Sequence, residues 1–118
     1  MNRLYSVLPW GVIVLGALHM AATWKIYDSL DSPALWFFNG GIVLVFGGVL
    51  NLINRRYGAG ALGLRWFCRV VNVVTLIFAT FSGVVGGAST ASLLVVLGLM
   101  GAIAVLSFLR QSTSVTAV

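Results

Sequence analysis

The ionisable side chains able to do chemistry in this sequence are few, and the candidate groups are built largely on amides. There is one histidine, one cysteine, two aspartates and no glutamate. His19, Thr23 and Asn39 form the first candidate group. His19 lies six residues before Lys25, and Asn39 six residues after Pro33, so both fall about 9 Å from the same end of their helices at 1.5 Å per residue. Thr23 stands one turn from His19 on the same face. Such a group is read as a polar binding or gating site, because an ionisable side chain inside an apolar segment is costly and tends to be functional. A neutral histidine hydrogen-bonded across two helices is the structural alternative.

The second candidate group is Asn51, Asn54, Asn72 and Arg69. Asn51 and Asn54 close one apolar segment, and Asn72 opens the next, one turn from Arg69; Thr75 continues that face. Antiparallel segments bring these amides to one depth. Amides buried in apolar surroundings must be paired, and pairing across helices is their first expected use; a lipid headgroup or ion is the other. Cys68 is expected at the segment's end as an inert thiol, without a second cysteine or a nearby histidine to activate it. One histidine and one cysteine make no ligand set for zinc, haem or an iron–sulfur cluster, so no metal and no cofactor are expected. Paired carboxylates, phosphate loops and nucleophile elbows are missing as well, so the expectation is a non-enzyme.

The elements that must position these groups follow from composition. Of 118 residues 60% are hydrophobic and 8% charged, against roughly 25% charged in a soluble domain. Four windows are long and apolar enough to span a bilayer, which takes about 20 residues. They cover about 7–24, 34–54, 70–87 and 91–109. The fold class expected is all-α, a four-helix transmembrane bundle forming one domain over 1–118. Ser32 before Pro33 reads as the N-cap of the second helix. Gly86-Gly87 reads as the end of the third, and Ser89 or Thr90 as the cap of the fourth. The stretch Tyr57 to Leu64 (YGAGALGL) reads as a loop. Met1-Asn2-Arg3 before an apolar run fits a signal peptide in outline. The run is long for one, and Leu18-His19-Met20-Ala21-Ala22 is a poor cleavage site, so it is read as a retained span.

Charge sets the orientation. Arg3, Arg55, Arg56, Arg65, Arg69 and Arg110 fall at one face, and Lys25 at the other with Asp28 and Asp31. Six basic residues against one place both termini in the cytoplasm, an N-in/C-in topology. The net charge of +5 is thus topological, with anionic lipids of the cytoplasmic face as its partners and no nucleic acid. Trp24, Tyr27, Trp36, Phe37 and Phe38 read as the outer aromatic belt, and Tyr5, Trp10, Tyr57, Trp66 and Phe67 as the inner one.

Helices in lipid associate by close packing and hydrogen bonds. Gly40-Gly41 and Gly47-Gly48 lie two turns apart on the second helix. Ala79, Gly83 and Gly87 form a small-residue series on the third, and Gly98, Gly101 and Ala102 another on the fourth. Internal packing is their first reading, and a stripe left over would face a second copy or another membrane protein. With both acids in the outer loop, proton-coupled transport through a membrane carboxylate is excluded. The leading expectation is a non-enzymatic, accessory or structural, lipid-binding protein of the cytoplasmic (inner or plasma) membrane. The alternative is a homo-oligomeric channel or transporter for a small solute, built around His19 and Asn39.

Overall fold

The computed structural model describes residues 2–109, which form four α-helices: α1 (Asn2–Ile26), α2 (Ser32–Tyr57), α3 (Leu62–Val85) and α4 (Thr90–Leu109). Each is long and apolar enough to cross a membrane. Arg110 and the polar tail Gln111 to Val118 lie outside the described residues.

The helix ends are set by local chemistry. Asp31, not Ser32, caps α2: its carboxylate oxygen accepts from the Ala34 N–H at 3.0 Å, and Pro33 sits in the first turn. Its negative charge complements the positive end of the helix dipole. At the end of α3 the Gly87 backbone turns to φ +68, a left-handed conformation that glycine adopts without strain. The Ala88 N–H then reaches back to the Gly83 carbonyl at 2.9 Å. Ser89 caps α4 through its hydroxyl oxygen, which accepts from the Ser92 N–H at 3.2 Å.

Two helices begin well before their apolar windows. α1 begins at Asn2 and not near Val7, and α3 begins at Leu62 and not near Val70. The window method counts apolar residues, whereas a helix continues through polar ones. The connection between α2 and α3 shrinks accordingly to a tight turn, with Gly60 N–H bonded to the Tyr57 carbonyl and Ala61 N–H to the Gly58 carbonyl. Arg69 thereby moves from the mouth of its helix to about 10 Å inside it, at 1.5 Å per residue.

The first hairpin is joined backbone to backbone. A Cβ on Gly41 would stand 2.7 Å from the Gly16 carbonyl oxygen, and one on Gly16 would stand 2.6 Å from that of Gly41. One heptad further along, a Cβ on Gly48 would meet the Pro9 carbonyl oxygen at 2.7 Å. The Gly41/Gly48 face of α2 is therefore the groove that admits α1, as small residues allow in membrane helices. Gly83 performs the same service against Leu93 in the second hairpin, whereas Gly98 and Gly101 meet nothing within 4 Å.

The two hairpins meet through Val12, Leu44, Met100 and Ile103, with Leu8, Leu15, Leu76, Val96 and Leu99 around them. The rest of the surface inverts the pattern of a water-soluble protein. Val14, Phe46, Phe78 and Leu94 are exposed at mid-helix, while Thr23, Asn51, Asn72, Thr75, Ser107 and even Arg69 are buried. Apolar surface outside and polar groups inside suit a hydrocarbon solvent.

Candidate functional site

The inner amides converge. Asn51 on α2 and Asn72 on α3 form a reciprocal pair: Asn51 Nδ2 donates to Asn72 Oδ1 at 2.8 Å, and Asn72 Nδ2 donates to Asn51 Oδ1 at 3.0 Å. Asn51 Nδ2 also donates to the Gly47 carbonyl of its own helix at 2.8 Å. The Tyr5 hydroxyl, from the first turn of α1, donates to Asn51 Oδ1 at 2.8 Å and accepts from Asn54 Nδ2 at 3.1 Å. Cys68 Sγ points at the same Asn51 oxygen from 3.4 Å. Three helices are thus tied at one point, by residues each no more than 4% exposed. An amide has two donors and one oxygen with two lone pairs, and Asn51 uses them on four different residues.

Arg69 belongs to this end of the bundle but serves a different pair of helices. Its Nε donates to the Ser107 carbonyl of α4 at 3.2 Å, and Ser107 Oγ donates to the Ala104 carbonyl at 2.7 Å. The guanidinium lies 5.2 Å from the Trp66 ring centroid and 5.1 Å from that of Phe108. A cation that donates to a backbone carbonyl makes a charge-assisted hydrogen bond, roughly twice as strong as a neutral one. Two aromatic faces add cation–π attraction. Arg69 is 2% exposed. The expected snorkelling position at the lipid interface is replaced by a place between α3 and α4.

Three residues of this site were not among the sequence candidates. Tyr5 was assigned to the inner aromatic belt, Cys68 to an inert interfacial position, and Ser107 to no role. Tyr5 had a readable signal: on a helix begun at Asn2 it shares a face with Pro9, Val12 and Gly16, all buried. Beside the node, Asn54 Oδ1 and Arg65 Nε are buried without a hydrogen-bond partner among the described residues. Both flank Gly58, where a side chain would strike Asn54 and approach Arg65 Cγ to 3.1 Å.

The outer candidates do not gather in the expected way. The His19 ring stacks on Phe37 of α2, centroids 3.8 Å apart and planes 19° from parallel. Tyr27 tilts against the same ring at 5.6 Å. Gly40 leaves room for the imidazole, since a Cβ there would stand 3.3 Å from Nε2. Thr23 is buried, and its hydroxyl donates to the His19 carbonyl at 3.3 Å, within α1. Asn39 is exposed on another face of α2, and among the described residues its side chain makes no hydrogen bond. Asn39 follows Phe37 by two positions, about 200° around α2, so the face that meets His19 through Phe37 is not the face that carries the amide.

Among the described residues no cluster of three or more His, Cys, Asp or Glu could hold a metal ion. Comparison of the chain with protein-family models, with curated proteins and with solved structures gives no match.

Proposed function

We propose that this chain is a non-enzymatic integral protein of the cytoplasmic membrane, with an accessory or structural role and a basic inner face that binds anionic lipid. The observation that carries the reading is the reciprocal Asn51–Asn72 pair with Tyr5 upon it. Polar groups that line a solute pathway keep donors and acceptors turned toward the pathway. Here Asn51 and Asn72 spend theirs on each other and on Tyr5, which is the behaviour of groups that hold helices together.

Orientation is supported by the placement of charge on the helices. Arg3, Arg55, Arg56 and Arg65 stand at the end of the bundle where α1 begins and α2 gives way to α3. Lys25, Asp28 and Asp31 stand at the other end. Basic residues are retained on the cytoplasmic side, so both termini face the cytoplasm. The exposed Arg55 and Arg56 beside Tyr57 supply the headgroup-level cations that attract anionic lipid.

Reconstitution tests the role. Proteoliposomes containing the chain should pass ions and small uncharged solutes no faster than protein-free vesicles. Native mass spectrometry from mild detergent should show anionic lipid retained by the wild type and lost on Arg55→Gln/Arg56→Gln. Solute flux that Asn72→Leu abolishes would replace this reading with that of a channel.

A further inference from the structure

Asn39 is the feature that neither the packing nor the proposed role accounts for. α2 spans 26 residues, about 39 Å, against a hydrocarbon core of about 30 Å. Centred on that core, Asn39 lies about 6 Å inside it. Its amide points away from the chain's own helices. The other exposed mid-helix side chains are apolar, as at Val14 on α1, Phe78 on α3 and Val105 on α4. A primary amide left in hydrocarbon forfeits its hydrogen bonds, so a partner is required at that depth.

The surroundings of Asn39 fit a helix seam. Trp36, Asn39, Val43, Phe46, Leu50 and Ile53 recur at alternating steps of three and four, the spacing of a left-handed helix pair. Trp36 and Phe46 are 67% and 69% exposed. The other side of α2, carrying Gly41, Leu44, Gly48 and Asn51, is already filled by α1 and α3. The seam is therefore free for a second molecule.

We infer that the occupant is a second copy of this chain, docked α2 to α2 in parallel with Asn39 bonded to Asn39. An amide is self-complementary, since its N–H donates to the oxygen of another amide. Copies inserted with one orientation carry Asn39 at one depth, so a two-fold axis along the membrane normal brings the two together. A single asparagine in an otherwise apolar seam also fixes the register of a parallel pair. This inference rests on the bilayer placement proposed above.

Cross-linking in vesicles containing only this chain decides the matter. Val43→Cys and Phe46→Cys should form disulfide-linked dimers under mild oxidant. Val14→Cys on the exposed face of α1 should not, and the wild type, whose only cysteine is the buried Cys68, should remain monomeric on a denaturing gel. Energy transfer between labelled chains should report dimerisation weakened about 3- to 30-fold by Asn39→Leu and preserved by Asn39→Gln. Equal cross-linking at Val14→Cys, absence of cross-links at Val43→Cys and Phe46→Cys, or full dimerisation of Asn39→Leu overturns the inference. Carbonate extraction of the same vesicles separates the two claims. Release of the protein overturns the bilayer placement and the dimer with it, whereas retention without α2 cross-links overturns the dimer alone.

Discussion

Replacing Asn51 with leucine removes the centre of the inner node while keeping a branched side chain of similar size. Three interhelical hydrogen bonds between nitrogen and oxygen atoms are lost, one from Tyr5 and two with Asn72, and the weaker Cys68 thiol contact goes with them. Interhelical bonds of this kind contribute on average about 0.6 kcal/mol and at most about 1.7. Asn51→Leu should therefore destabilise the bundle by about 2 to 5 kcal/mol. Asn72→Leu removes two of the same three bonds, and the double variant removes only those three. The single changes together count five losses against three, so the double variant should be more stable than their sum by two bonds, about 1 to 3 kcal/mol. Unfolding in mixed micelles by titration with a denaturing detergent, followed by tryptophan fluorescence, measures each corner of the cycle. Maleimide labelling of Cys68 gives a second readout, because its thiol is fully buried and reacts only when the node opens. Asn51→Leu should raise that rate about 30-fold or more, following the smaller of the stability losses. A variant within about 0.5 kcal/mol of the wild type, or a cycle that closes additively, would refute the node as the tie between α2 and α3.

Two further substitutions probe other contacts. Gly48→Ala places a methyl 2.5 Å from Ile13 Cγ1 and 2.7 Å from the Pro9 carbonyl oxygen, and overpacking of this kind costs about 1–3 kcal/mol in the same assay. Gly98→Ala meets nothing within 4 Å and should be neutral, or stabilising by up to about 1 kcal/mol through helix propensity; equal losses at both positions would mean that α1 and α2 are not in backbone contact. Arg69→Ala should cost about 2–4 kcal/mol, from a charged hydrogen bond and two ring contacts. Arg69→Lys should recover less than half, because an ammonium cannot stack as the planar guanidinium does. Thermal unfolding in detergent, followed by circular dichroism, measures both, and a lysine variant as stable as the wild type would remove the stacking contribution.

The four helices, the glycine end of α3, the serine cap of α4 and the inner trio Asn51, Asn54 and Asn72 were legible from apolar windows and helical spacing. What escaped shares one cause. A hydropathy window measures how much chain fits in hydrocarbon, while a helix ends where caps and turns end it. Five residues omitted from the front of α1 left Tyr5 outside the bundle. Eight omitted from the front of α3 put Arg69 and Cys68 at an interface when both are buried. The pairing of His19 with Asn39 failed differently. Spacing along a helix does not fix azimuth, and His19 stacks on Phe37 while Asn39 faces outward.

The two hairpins are held by different means, and this gives the inner polar node its role. α1 and α2 meet at glycines, where the fit of backbone to backbone tolerates little sliding. The second hairpin meets the first through Leu, Val, Ile and Met side chains. In the bilayer placement proposed above, one rotation of a helix among apolar side chains is little better than the next, because no transfer free energy separates them. The Asn51–Asn72 pair supplies the missing discrimination, since turning α3 by one residue, about 100°, would orphan both amides. Arg69 does the same for α4, as any other rotation would take the Ser107 carbonyl and the Phe108 ring away from a buried cation. On this account the polar node contributes less to total stability than to the choice of a single arrangement. The double-mutant cycle can separate the two, because a leucine pair that restores stability without restoring slow labelling of Cys68 would be a bundle that is stable but no longer unique.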